Sequence, residues 1–140
     1  MNRDEVIAKW NSMQPRERDA WVAEEVMGLT VVREKRPYGK VWVRAADEPG
    51  AMNNLPVYST GMGATWKVLE RVRGNGYSFT LGEVSEKSGS FIRGEAKLGD
   101  NMCNFHIATK GIFTPAFRET MPEAICLAAL IATQGEGIEE

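Results

Sequence analysis

The chain is poor in the residues that carry most enzyme chemistry. Its 140 residues include one histidine, His106, and two cysteines, Cys103 and Cys126. Neither cysteine belongs to a CxxC or to a Cys/His spacing that suits zinc. Each sits among apolar residues, Met102-Cys103 in one case and Ile125-Cys126-Leu127 in the other. Two buried free thiols in a reducing compartment are therefore expected rather than a disulfide. An excess of basic residues is also missing: 17 stand against 19 acids, for a net charge of -2. That balance leaves no electrostatic footprint for duplex nucleic acid. The longest apolar run, residues 124–132, falls far short of the roughly 20 residues that cross a bilayer, so no membrane span is expected. Residues 1–5 carry acids and no apolar segment, so no signal peptide is read there and an intracellular protein is expected.

What is present reads as one domain over residues 1–140, with 133–140 as a polar, frayed tail. Hydrophobic residues make up 43% of the chain, enough for a core without disulfides or a metal. Asn2 with Glu5 three residues on forms a capping-box start, followed by Val6, Ile7, Trp10 and Met13 at helical spacing. Pro15 suits the first turn of a second helix, whose apolar face is Ala20, Ala23, Val26 and Met27; Arg16, Glu17, Arg18, Asp19, Glu24 and Glu25 supply its polar positions. Gly28 stands where a left-handed helix terminator belongs. Residues 29–32 and 40–44 read as two strands of a hairpin around Pro37 and Gly39, and 45–56 as a loop. Ser59 or Thr60 is expected to cap a third helix with Ala64, Val68, Leu69 and Val72 buried, Trp66 near the edge of that stripe, and a stop at Gly74-Asn75-Gly76.

The period then changes to two. Tyr77, Phe79 and Leu81 alternate with Ser78 and Thr80 in a half-buried strand. Residues 90–97 and 102–109 are the next two strand candidates, and 110–119 reads as a loop. Thr120, Pro122 and Glu123 start a last helix whose unbroken apolar run predicts burial on every side. Helices before and after a mostly antiparallel sheet predict an α+β or α/β fold, a three-layer α/β/α sandwich.

Three blocks carry a family resemblance. Arg18-Asp19-Ala20-Trp21-Val22-Ala23-Glu24-Glu25-Val26-Met27-Gly28 is the first. Pro56-Val57-Tyr58-Ser59-Thr60 leading into Ala64-Thr65-Trp66-Lys67-Val68 is the second. Glu123-Ala124-Ile125-Cys126-Leu127-Ala128-Ala129-Leu130 is the third. In this order they resemble the phage ABA-sandwich domain, found in small proteins of tailed phages and prophages. Leu29 stands where that family usually has tryptophan, and Gly61 where it usually has aspartate; residues 83–118 are longer and more divergent than its pattern. The resemblance implies an α/β/α sandwich made in the cytoplasm of an infected bacterium. It implies no activity, because fold does not fix function.

The candidate ligand-binding residues are Trp42, Arg44, Tyr58, Ser59, Thr60 and Gly61. Residues 58–63 open a helix, where free N–H groups and glycines can hold a phosphate or carboxylate; equally, Ser59 or Thr60 can serve as a plain cap. Trp42, beside Arg44 and Lys40, can stack an adenine with its phosphates on the basic groups, or pack on a sheet face. Lone His106 lacks the partners of a general base or a metal site, and Glu83, Glu86, Glu95, Asp100 and Glu119 show no convergence. No cofactor motif is present and none is expected. Two functions follow: a non-enzymatic accessory protein sequestering a small anionic or nucleotide signal of host defence, or a homo-oligomeric module that binds a host or phage protein. The apolar last helix with Ile112, Phe113 and Phe117 suggests the self-association.

Overall fold

A computed structural model describes residues 1–35, 41–45 and 55–134; the side chains of 34, 35 and 41–45 lie outside the description. The elements are α1 (Arg3–Asn11), α2 (Pro15–Glu25), β1 (Val31–Lys35), β2 (Val41–Ala45), α3 (Met62–Gly74), β3 (Ser78–Glu83), α4 (Gly89–Ile92), β4 (Asn101–Ile107), β5 (Ile112–Arg118) and α5 (Met121–Gln134). A single 3₁₀ turn, Ala108–Lys110, joins β4 to β5.

The helix signals work as local chemistry predicts. At α1 the Glu5 N–H donates to Asn2 Oδ1 (2.8 Å) and the Asn2 N–H to Glu5 Oε1 (3.2 Å), a complete capping box. Pro15 occupies the first turn of α2. Gly28 adopts φ +69 and lets the Leu29 N–H return to the Ala23 carbonyl at 2.8 Å. The Glu123 N–H reaches Thr120 Oγ1 at 3.4 Å to start α5. That helix runs through Gln134, so Thr133 is helical rather than frayed and donates to the Ala129 carbonyl; residues 135–140 lie outside the description.

Every described strand pairing is antiparallel. β1 and β2 form the expected hairpin and pack on α2; its turn, with Lys40, lies outside the described residues. The main sheet has the order β3-β4-β5. Its inward rows are Phe79–Phe105–Thr114 and Leu81–Cys103–Ala116, and its outward rows are Thr80–Asn104–Pro115 and Gly82–Met102–Phe117. The inward face lies on α5, which also touches α1, α2 and α3. Residues 124–131 are all buried, so the prediction for this helix holds. Burying each leucine or isoleucine there is worth about 1.5–3 kcal/mol. A helical layer thus covers one sheet face, and α4 borders a cleft on the other, as a layered α+β sandwich requires.

The third strand is not where the sequence suggests. Residues 90–97 form α4 and a turn, with Gly94 at φ +74, whereas the expected loop 110–119 contains β5. Pro115 argues against a strand only in a sheet interior. At an edge its missing N–H costs one side of one ladder. Thr114 meanwhile directs its hydroxyl to the Phe105 carbonyl (3.0 Å) and its N–H to Asn104 Oδ1 (3.0 Å).

Candidate functional site

The segment before α3 is fixed by a buried carboxylate. Asp19 is 1% exposed, although its polar character places it among the solvent-facing residues of α2. Its Oδ1 accepts from the Ser59 N–H (2.8 Å) and the Ser59 hydroxyl (2.7 Å); Oδ2 accepts from Arg16 Nη1 (2.7 Å). Arg16 Nη2 goes on to the Leu55 carbonyl at 2.8 Å. The Tyr58 carbonyl accepts from Thr65 Oγ1 and from Cys126 Sγ, tying the turn to α3 and α5.

Ser59 is therefore not the cap of α3, and neither is Thr60. Gly61 occupies the cap position and supplies no side-chain cap bond, while the Thr65 hydroxyl donates to its carbonyl at 2.8 Å. A Cβ at 61 would lie 2.9 Å from Val57 Cγ2, so a larger residue there requires the Val57 side chain to shift. Of the six candidate ligand-binding residues, Tyr58 and Ser59 are buried, Gly61 is half-buried and Thr60 is exposed. Trp42 and Arg44 stand on β2, opposite Glu34 and Val32. Their side chains lie outside the described residues, as does Lys40. The Ser59 donors are spent on Asp19. What faces outward is Thr60 and the first turn of α3, which carries no acid.

The outer face of α3 holds what sequence reasoning missed. Val57 is 47% exposed, Met62 44% and Trp66 49%, all at the start of this helix. Thr65, Val68, Leu69 and Val72 form the buried stripe as expected. Met62 and Trp66 are four apart and lie off it, a spacing that could have identified them as surface neighbours.

Other groups are accounted for internally. His106 lies 3.1 Å from Thr80 Oγ1 and stacks on Phe113 at 6.2 Å. Glu95 pairs with Arg93, and Asp100 Oδ2 accepts the Lys97 N–H. Burial pushes the Cys103 thiol up to about 12 and raises Cys126 well above its ordinary value. A cleft of about 260 Å³ sets Arg18, Lys97 and Arg118 against Asp100, Glu119 and Glu123, so its charges balance. Desolvation lowers the pKa of Arg118 and of Arg3. Among the described residues no group of three His, Cys, Asp or Glu side chains is placed to hold a metal. No described helix is long and apolar enough to cross a membrane. Of the residues that suggested self-association, the apolar run of α5 and Ile112 are buried within the chain, Phe117 is half-buried and Phe113 is 55% exposed.

The fold is thus that of a layered α+β sandwich built round one central helix, with an exposed apolar cluster at the start of α3. Residues 20–130 match the Phage ABA sandwich domain, and the chain belongs to that family. It is a protein of phage type. No curated protein and no solved structure matches it.

Proposed function

We propose that this phage protein is a non-enzymatic accessory factor of the host bacterial cytoplasm that acts by binding another protein, and that the outer face of α3 makes the contact. The observation that carries this reading is the half-exposed pair Met62 and Trp66, one helical turn apart, with Val57 half-exposed just before the helix. Tryptophan and methionine are enriched at the desolvated centres of interfaces, and a tryptophan there commonly contributes about 2 kcal/mol or more. Trp66 rests on a helix whose other side is locked to α5, so the anchor is pre-organised and little entropy is lost on docking. Interference with host defence fits the setting of such a protein. The test is affinity purification from infected cells of the tagged chain and of Trp66→Glu. The variant is expected to fold normally and to lose its specific partner. Retention of every partner by folded Trp66→Glu would overturn the reading.

A second reading, capture of a small anionic or nucleotide ligand, is favoured by the first turn of α3, which has neither a side-chain cap nor an acid. Thr60 and Gly61 border that turn, and Trp42 with Arg44 would supply stacking and charge. Native mass spectrometry decides it. A mass excess lost in Arg44→Ala and Trp42→Ala supports the ligand, and the bare chain mass after incubation with a nucleotide panel removes it.

A further inference from the structure

The partner of the α3 face can be narrowed from its charge. Beyond Trp66 the exposed side of α3 carries Lys67, Arg71 and Arg73 against Glu70. None of the three cations makes an ion pair among the described residues. Two such faces brought together would oppose like charges, which disfavours a symmetric α3–α3 contact. A Cβ at Gly63, next to Trp66 on this face, would meet nothing within 4 Å, so the helix surface there is open to close approach.

The chain also carries a surface of the opposite character. Between the end of β3 and the excursion over residues 84–100 lies an open groove of about 810 Å³. Leu98 gives it an exposed apolar wall over buried Val84, Glu83 and Glu86 give it carboxylates, and Lys87 is the cation among its described lining residues. Leu98 is 55% exposed. Neither glutamate is in an ion pair among the described residues. The groove is built rather than incidental: the Val84 N–H donates to the Asp100 carbonyl (2.8 Å) and the Gly99 N–H to the Val84 carbonyl (2.9 Å), which closes the neck of the excursion.

We propose that the α3 face of one copy docks into the 83–99 groove of a second copy, with Trp66 against Leu98 and with Lys67 and Arg73 facing Glu83 and Glu86. This rests on the reading of α3 as the binding face and names its occupant. The two surfaces share no residue, so the contact is knob to socket, and it closes as a two-fold pair where both contacts form at once. Each copy offers one knob and one socket, and otherwise the assembly grows until it closes into a ring or continues as a chain.

Sedimentation velocity on the purified chain across the micromolar range tests this. The wild type is expected to sediment as a species larger than one chain and to dissociate as salt rises, because the charge pairs are exposed. Trp66→Glu removes the knob and Leu98→Glu the socket; both residues are exposed, and circular dichroism confirms folding. Each variant alone should be monomeric, its self-affinity weakened roughly thirty-fold or more. Their equimolar mixture should form pairs and nothing larger, since one intact knob meets one intact socket. A monomeric wild type overturns the proposal. So does a Leu98→Glu chain that still assembles, or a mixture that stays monomeric. If the wild type is monomeric while Trp66→Glu still loses its partner from infected cells, this inference fails and the binding-face reading stands; if Trp66→Glu changes neither, both fail.

Discussion

Asp19 is the point at which a small change should cost most. Asp19→Ala removes the acceptor of the Ser59 N–H, the Ser59 hydroxyl and Arg16 Nη1 together. The Ser59 amide is buried, and stranding it costs about 1–3 kcal/mol. The Ser59 hydroxyl can turn only to the Pro15 carbonyl, at 3.4 Å. The Arg16 side chain is 38% exposed and recovers water, so its loss adds little. The Ser59 hydroxyl bond to the carboxylate adds about 1.5–3 kcal/mol, and the relieved desolvation of the carboxylate offsets part of that. The expected loss is about 3 kcal/mol, which in a chain of this size lowers Tm by about 10 °C. Urea and thermal unfolding followed by circular dichroism measure both. Ser59→Ala should cost less, about 1 kcal/mol, because it spares the buried N–H bond and the Arg16 pair. The double variant should fall short of the sum by about 1 kcal/mol or more. A loss below about 1 kcal/mol for Asp19→Ala would show that Asp19 does not hold the 55–61 segment on α2.

Three further outcomes follow from caps and burial. Asn2→Ala breaks the capping box of α1 and should destabilise by about 1 kcal/mol, read from the urea midpoint. Cys103 and Cys126 are both buried, so Ellman's reagent should find no accessible thiol at mildly alkaline pH and two after unfolding. Because the Cys103 thiol is raised from an ordinary 9.0 to about 12, the unfolded chain releases this proton first as pH rises. Its contribution is intact below pH 9 and declines by about 1.4 kcal/mol per unit up to the folded value. Cys103→Ala should flatten that alkaline slope, and an unchanged slope would contradict the assignment.

Much of the fold was legible because its signals are local. Asn2 and Glu5, Pro15, Gly28 and Gly76 each satisfy or end a helix through contacts within a few residues. The run 124–132 announces its own burial by having no polar side to expose. The alternation at 77–81 likewise identifies β3. What failed depended on distant partners. Segments 90–97 and 112–118 each offer apolar residues, Pro115 counts against the second, and the ladder on β4 nevertheless selects it. Asp19 reads as a solvent-facing acid until Ser59, 40 positions away, supplies two donors. Trp66 reads as the border of a buried stripe until helix packing leaves 49% of it exposed.

The sequence by itself thus determined the starts of α1, α2 and α5, the two-residue period of β3, the central helix and the kinship with a phage family. Each follows from near-neighbour chemistry or from a pattern within one segment. Tertiary structure alone decided which segment became the third strand, that Asp19 anchors the turn before α3, and which apolar side chains remain outside. Those outcomes depend on pairing and packing between residues far apart in the chain, where long-range partners determine which polar group is satisfied and which surface is left to bind.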